Sequence, residues 1–182
     1  RGKVLIGSEI DCHKDRMAHR KAVNFSEAEP LFPGYLKGQE LLDFYHSVKG
    51  GDLNERKRLQ AGLKMDFLKE PVGTYSSGMK KKLALVMALS GTPSLILLDE
   101  PFAAVDQPSR KFLTHCIRDL VDKGVNFIIS SHQKDLHGAF GAGTVWLLED
   151  KTFHIVGDEE ISEWLETGYA EPVSEAAGGT GE

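Results

Sequence analysis

Two adjacent carboxylates, Asp99 and Glu100, follow an apolar run in the segment SLILLDEP (94–101). Like charges this close repel, so the arrangement costs free energy unless a cation offsets it. A Mg²⁺ ion with a bound nucleotide would do so, because the first carboxylate would lie near the hydrated metal and the second would orient or deprotonate an attacking water. The plainer alternative is a strand that runs into an acidic turn and is terminated by Pro101.

The residues around this pair favour the first interpretation. Asp106 follows Glu100 closely, and His132 ends the run ISSH (129–132) that closes the next apolar segment. Ligands of parallel sheets bind at the carboxyl ends of the strands. A parallel arrangement therefore predicts that His132 lies beside the end of the strand that carries Asp99.

A second candidate site opens the helix that precedes the apolar run. Ser76, Ser77 and Gly78 begin this helix, and the three lysines 80–82 fill its first turn. A serine and free backbone N–H groups at a helix N-terminus form a phosphate-binding site. Plainer roles stay open: Ser76 and Asp106 could each cap the helix that follows, and the lysines could form a solvated face.

The pattern around these residues predicts an α/β fold. Short apolar runs alternate with helical periodicity in the second half, which is typical of a parallel sheet flanked by helices. We expect strands at 3–10, 21–26, 95–98, 125–131, 144–150 and 152–157, the last two as an antiparallel pair. We expect helical segments from Gln39 to about Leu68, after Tyr75 and over 107–123.

Composition narrows the class of protein. A chain of 182 residues suits one domain with a small insertion, and no stretch has the ~20 apolar residues of a membrane span. The net charge of −5 argues against a nucleic-acid partner. Cys12 and Cys116 lie far apart without metal-ligand spacing, which favours reduced thiols.

Four segments resemble motifs of the ATP-binding-cassette (ABC) ATPase family. They are YSSGMK (75–80) for its signature motif, LILLDE (95–100) for its Walker B strand, AAVD (103–106) for its D-loop and ISSH (129–132) for its switch-histidine strand. The resemblance covers about residues 3–157, and its signature variant is most similar to prokaryotic exporters. It implies a P-loop NTPase-like parallel sheet flanked by helices, with an inserted helical subdomain and a small antiparallel C-terminal hairpin.

The resemblance assigns hydrolytic roles to the acidic residues. Asp99 would hold the Mg²⁺ shell, Glu100 would act as general base, and His132 would contact the γ-phosphate of ATP. The family's glutamine after the second strand is absent, so Glu27 or Glu29 would take its place, and the sequence does not choose between them. A carboxylate there can still coordinate Mg²⁺ or bind its water.

The resemblance also implies two protein partners. Ser76, Ser77 and Gly78 would bind the ATP held by a second ABC subunit, and Asp106 would link the two sites of this head-to-tail dimer. Residues 30–72 match the place of the family's subdomain that docks a membrane-spanning permease. The protein would then lie peripherally on the cytoplasmic face of the membrane and power transport, in the export direction by its signature variant.

One family element does not occur in the sequence: the phosphate loop G-x-x-x-x-G-K-[ST]. In the family, this phosphate loop precedes the strand that KVLIGSEI (3–10) resembles. We therefore expect 1–166 to be a partial ATPase domain without its first strand and phosphate loop, with a helical subdomain at about 34–90. We expect these residues alone to hydrolyse little ATP, and 167–182 to be a disordered tail.

Two other functions stay open. The first is a catalytically inactive ABC-like interaction module, which the missing phosphate loop would explain. The second is a non-transport ABC ATPase that acts on ribosomes or DNA. The single set of motifs and the net negative charge make this second alternative the weaker one.

Overall fold

The computed structural model of the chain describes residues 3–7, 10–131, 144–149 and 151–157. The chain divides after residue 132 into two compact units. The first unit contains β1 (Leu5–Ile6), β2 (Ile10–Asp11), α1 (Arg16–Ala22), β3 (Val23–Ser26), α2 (Gly38–Lys49), α3 (Leu53–Gly62), α4 (Ser77–Leu89), β4 (Leu95–Asp99), α5 (Gln107–Asp122) and β5 (Asn126–Ser130). The second contains β6 (Val145–Glu149) and β7 (Thr152–Val156).

The first unit is built on a parallel three-stranded sheet in the order β3-β4-β5. Its register pairs Ser26 with Leu98 and Asp99 with Ser130, so the three strands end at one edge. The predicted α/β fold with a parallel sheet is confirmed. Because β4 is the central strand, the residues that follow it are flanked on both sides.

Helix α4 covers one face of this sheet. Its apolar side chains from Leu83 to Leu89 are mostly buried, and they lie over β3 and β4, where Ile96 and Leu98 are also buried. Asn24, buried on the same face, donates from Nδ2 to the carbonyls of Ala88 and Ser90 at 2.8 and 2.7 Å. These bonds satisfy carbonyls that the end of a helix leaves without partners. On the opposite face, Phe25 is 52% and Ile128 62% exposed.

The segment predicted to be helical from Gln39 to about Leu68 consists of α2 and α3. Gly50 and Gly51 separate them, with φ of 67° and 98°. This left-handed backbone costs glycine little and other residues more, so the pair ends α2 and redirects the chain. Both helices contact α4, which anchors the inserted helical segment to the sheet.

The N-terminal part differs from the expectation. Residues 3–10 were expected to form one strand, but β1 and β2 pair with each other in antiparallel orientation. Helix α1 was not expected at all. Its sequence RMAHRKA buries only Ala22, so it has no apolar stripe from which a helical period could be read.

The second unit contains the antiparallel pair that the sequence predicted. Val145 pairs with Val156 and Glu149 with Thr152. Trp146 and Phe153 meet edge to face with ring centroids 5.9 Å apart. This cross-strand aromatic contact is of the kind that stabilises a hairpin.

Candidate functional site

The acidic pair lies at the carboxyl end of the central strand. Asp99 is the last residue of β4, and Glu100 follows it directly. The Ser130 hydroxyl donates a short hydrogen bond to Asp99 Oδ1, and the Ser131 hydroxyl donates to Glu100 Oε2 at 3.3 Å. The end of β5 therefore holds both carboxylates. We call these four residues the carboxylate edge.

The backbone at Glu100 adopts an uncommon conformation. Its φ is +45°, in a region that residues other than glycine seldom occupy. The Glu100 amide donates to the Ser130 carbonyl at 3.1 Å, and the Ala103 amide donates to the Glu100 carbonyl at 3.2 Å. Residues in such regions cost of order 1 kcal/mol and concentrate at functional sites. The turn thus holds the second carboxylate in a direction that the strand alone would not give it.

A buried lysine supports the same turn. Lys81 of α4 is 1% exposed, and its ammonium donates to the carbonyls of Asp99 and Glu27 at 2.7 and 2.6 Å. The solvated face that the sequence suggested for residues 80–82 is therefore wrong for Lys81. Sequence reasoning did not assign it a function, since carbonyl acceptors leave no pattern in side-chain types.

The start of α4 carries the three residues predicted to bind phosphate, Ser76, Ser77 and Gly78. We call them the serine end. Both serines are exposed, and the Ser76 hydroxyl accepts from the Met79 amide at 3.2 Å, so Ser76 does cap the helix. A Cβ on Gly78 would lie 2.7 Å from the Ala104 carbonyl oxygen. Glycine is required there because the loop after Glu100 passes against the helix.

Asp106 links this loop to both helices. Its Oδ1 accepts from the Ser109 amide at 2.9 Å, which caps α5, and its Oδ2 lies 2.6 Å from the Lys82 ammonium. Lys82 and the hydrogen bonds from Ser109 hold the pKa of Asp106 well below its usual range. The capping roles left open for Ser76 and Asp106 are both present. Capping does not exclude a ligand at the same residues.

The structure brings some of the predicted residues together and separates others. Ser76 precedes Lys81 by five residues, so the serine end lies about 7.5 Å of helix rise before the level at which Lys81 contacts the end of β4. Glu27 and Glu29 both have exposed side chains in the loop after β3, and the choice between them stays a prediction. His132 lies outside the described residues, as does the segment 167–182 expected to be disordered.

The carboxylate edge has the donors that a hydrated Mg²⁺ ion prefers. Mg²⁺ binds through one or two carboxylates and keeps several waters. Within the described residues, Asp99 Oδ1 accepts from Ser130 while Oδ2 accepts no hydrogen bond, so one oxygen is oriented and the other is available. Asp99 could therefore hold the ion, and Glu100 beside it could accept a proton from a water.

A family model described as ABC transporter matches residues 1–103. Curated relatives include the retinal-specific phospholipid-transporting ATPase ABCA4 of Bos taurus, which is 33% identical over an alignment of 140 residues that covers 74% of this chain. ATP-binding cassette sub-family A member 7 of Mus musculus is 28% identical over an alignment of 141 residues, which also covers 74% of this chain. The chain spans about 6% of the length of either relative.

Solved structures share the fold. The ATP-binding subunit of an ABC transporter superposes with a TM-score of 0.66 at 21% identity, covering 72% of this chain and 57% of that one. A dimeric ATP-binding cassette in a post-hydrolysis state, bound to ADP and Pi, gives a TM-score of 0.60 at 20% identity, covering 75% and 65%. Within the described part of the chain, no helix is both long and apolar enough to cross a membrane.

Proposed function

This chain belongs to the ABC transporter family, and from that membership we propose that it forms part of an ATP-binding and ATP-hydrolysing subunit that powers transport. The observation that carries the proposal is the carboxylate edge, where Asp99 and Glu100 lie at the end of the central strand, bonded to Ser130 of β5 and to Ser131 directly after it. The relatives named phospholipid-transporting ATPases make a phospholipid the first substrate class to test.

Asp99 and Glu100 divide the chemistry between them. When bound, ATP would supply the phosphoryl group that is transferred. Mg²⁺ would supply positive charge that offsets the negative charge of this group in the transition state. Asp99 Oδ2 would hold the metal, with Ser130 fixing the carboxylate through Oδ1. Glu100 would accept the proton of the attacking water, and Ser131 would orient its carboxylate. His132 would keep the role at the γ-phosphate that the family resemblance gives it, and Glu27 or Glu29 would keep the role at the metal or its water.

The serine end would serve a second ABC subunit. Its serines face solvent at the start of α4, so they are open to a ligand that another chain presents. Ser76, Ser77 and Gly78 would therefore bind the γ-phosphate of ATP held by the opposite subunit, and Asp106 would connect the two sites. The dimeric cassette among the solved structures supports this arrangement.

The partner in the membrane would dock on the outer face of α2. Phe44 and Val48 are four residues apart on one side of this helix and are 69% and 56% exposed, and Tyr35 before the helix is 82% exposed. Exposed apolar groups of this kind mark interaction surfaces. We expect a membrane-spanning permease to cover them, which would hold the subunit peripherally at the cytoplasmic face of the membrane.

Steady-state phosphate release by the full-length protein tests the proposal. Glu100→Gln keeps the size of the side chain but removes the base, so turnover should fall by about 100-fold or more. Glu70→Gln, at an exposed position, is the matched control and should not change turnover. Hydrolysis that persists in Glu100→Gln would contradict the proposal. A wild-type protein that binds ATP without hydrolysing it would favour the inactive interaction module.

A further inference from the structure

A lysine side chain that is 1% exposed needs a specific explanation. Lys81 is one of three consecutive lysines in α4, yet Lys80 is only half-buried and Lys82 pairs with Asp106. Transfer of an ammonium group out of water is costly unless its donors are satisfied. The position must therefore offer compensation that its neighbours do not.

Three main-chain carbonyls supply that compensation. The Lys81 ammonium lies 2.6 Å from the Glu27 oxygen, 2.7 Å from the Asp99 oxygen and 3.4 Å from the Ala28 oxygen. An ammonium group has three N–H donors and no acceptor, so the number of acceptors matches. Two of the carbonyls follow the end of β3 and the third belongs to the last residue of β4, so one side chain joins the ends of two neighbouring strands.

The charge of Lys81 also acts on the acidic pair. Burial lowers the pKa of Lys81, and the negative charges of Asp99 and Glu100 oppose that shift. The attraction is mutual, so a protonated Lys81 lowers the cost of placing two carboxylates side by side. Part of the cation needed to offset the acidic pair is therefore supplied by the protein itself.

We propose that Lys81 is a positioning residue of the carboxylate edge. It fixes the main chain at Asp99 relative to the loop that follows β3, and thereby fixes the direction in which the Asp99 and Glu100 carboxylates point. The effect of Lys81 on turnover rests on the function proposed above. The connection that Lys81 makes between the loop after β3 and the end of β4 does not. Lys81 touches no reacting atom in this account and acts only through the residues that it holds.

The test compares two substitutions in the full-length protein. Lys81→Met removes the donors and the charge but keeps most of the volume, and Lys81→Gln keeps N–H donors without the charge. Lys111→Met, at an exposed position of α5, is the control for the loss of one lysine. For each variant, kcat and KM for ATP are measured together with hydrogen exchange of the backbone amides in 26–31 and 99–104.

Lys81→Met should lower kcat by about tenfold or more while KM for ATP stays within about twofold, because small displacements of a catalytic group slow the chemical step more than binding. Lys81→Gln should retain more activity than Lys81→Met. In both variants the amides of 26–31 and 99–104 should exchange faster, whereas those of α5 should not change. Lys111→Met should match the wild type in every measurement.

Wild-type values of kcat and exchange in Lys81→Met would overturn the proposal. A uniform increase of exchange over the whole protein would overturn it as well, because that result means general destabilisation. If Lys81→Met does not fold, Lys81→Gln decides by the same two measurements. Failure of the wild type to hydrolyse ATP would contradict the proposed function, and exchange in the two segments would still decide whether Lys81 joins them.

Discussion

The carboxylate edge and the serine end both depend on α4, but they differ in where their polar groups find partners. At the carboxylate edge, Ser130 and Ser131 donate to the two carboxylates, and Lys81 donates to the main-chain carbonyl of Asp99. At the serine end, Ser76 and Ser77 are exposed, and the hydroxyl of Ser76 meets only its own helix among the described residues. The fold of one chain thus organises the first region and presents the second outwards.

This difference predicts how the two regions should respond to substitution. Groups that are already bound within the chain are oriented before a ligand arrives, so changes there should act on the chemical step. Groups that face solvent acquire partners only on binding, so changes there should depend on the second subunit and leave the fold nearly unchanged.

Asp99→Asn at the carboxylate edge should have the largest effect. The amide can still accept from Ser130, but it lacks the negative charge that Mg²⁺ requires. Turnover by the full-length protein should fall by about 100-fold, with partial recovery at high Mg²⁺ concentration. Asp122→Asn, at an exposed position of α5, is the control. Full activity at ordinary Mg²⁺ concentration would exclude Asp99 as a metal ligand.

Ser76→Asp should have the next largest effect, at the serine end. Asp caps a helix about as well as Ser, so the melting temperature should be retained. The new negative charge would face the proposed γ-phosphate and should lower turnover by about tenfold or more. Ser76→Asn caps the helix without a charge and should remain closer to the wild type. Equal turnover in the two variants would mean that capping is the whole role of Ser76.

Ser131→Ala should have a smaller effect at the carboxylate edge. It removes the hydroxyl that lies 3.3 Å from Glu100 Oε2. A hydrogen bond of this kind contributes about 1 kcal/mol, so kcat should fall roughly fivefold with little change in KM. Ser47→Ala, at an exposed position of α2, is the control. An unchanged kcat would remove Ser131 from the account of how Glu100 is oriented.

Asp106→Asn should have the smallest effect, on stability and its pH dependence. The pKa of Asp106 is lowered from 3.8, so the folded protein binds this proton less readily than the unfolded chain. The Lys82 pair therefore stabilises the fold above about pH 4 and loses its contribution as the pH falls further. Because the Asp106 side chain is 51% exposed, the contribution should stay below about 1 kcal/mol.

Denaturant unfolding of the wild type and Asp106→Asn at pH 7 and pH 3 measures this contribution. Asn keeps the helix cap, so the difference between the proteins isolates the ion pair. The wild type should be slightly more stable at pH 7, and the difference should shrink at pH 3. A difference that grows on acidification would show that the pair does not stabilise the fold.

The sequence predicted those features of the carboxylate edge and the serine end that depend on patterns of side-chain types. Apolar runs at 95–98 and 125–131 predicted two parallel strands, and the shared direction of β4 and β5 brings both ends to one edge. The second strand was expected to be buried, but Ile128 in β5 is 62% exposed. The role of Lys81 could not be predicted, because its partners are main-chain carbonyls brought near it by the tertiary fold. Helix α1 was missed because it buries a single residue. The roles of His132, Glu27 and Glu29 remain predictions.

A mixed dimer of the full-length protein tests most directly whether the carboxylate edge of one copy works with the serine end of another. One copy carries Glu100→Gln and the other Ser76→Asp, with different affinity tags so that the mixed dimer is isolated. It then contains one intact composite site, formed by Glu100 of the second copy and Ser76 of the first. Turnover should recover to about half of the wild-type rate per dimer, well above Glu100→Gln alone at about 1% or less and Ser76→Asp alone at about 10% or less. Turnover no higher than that of either variant alone would contradict the account.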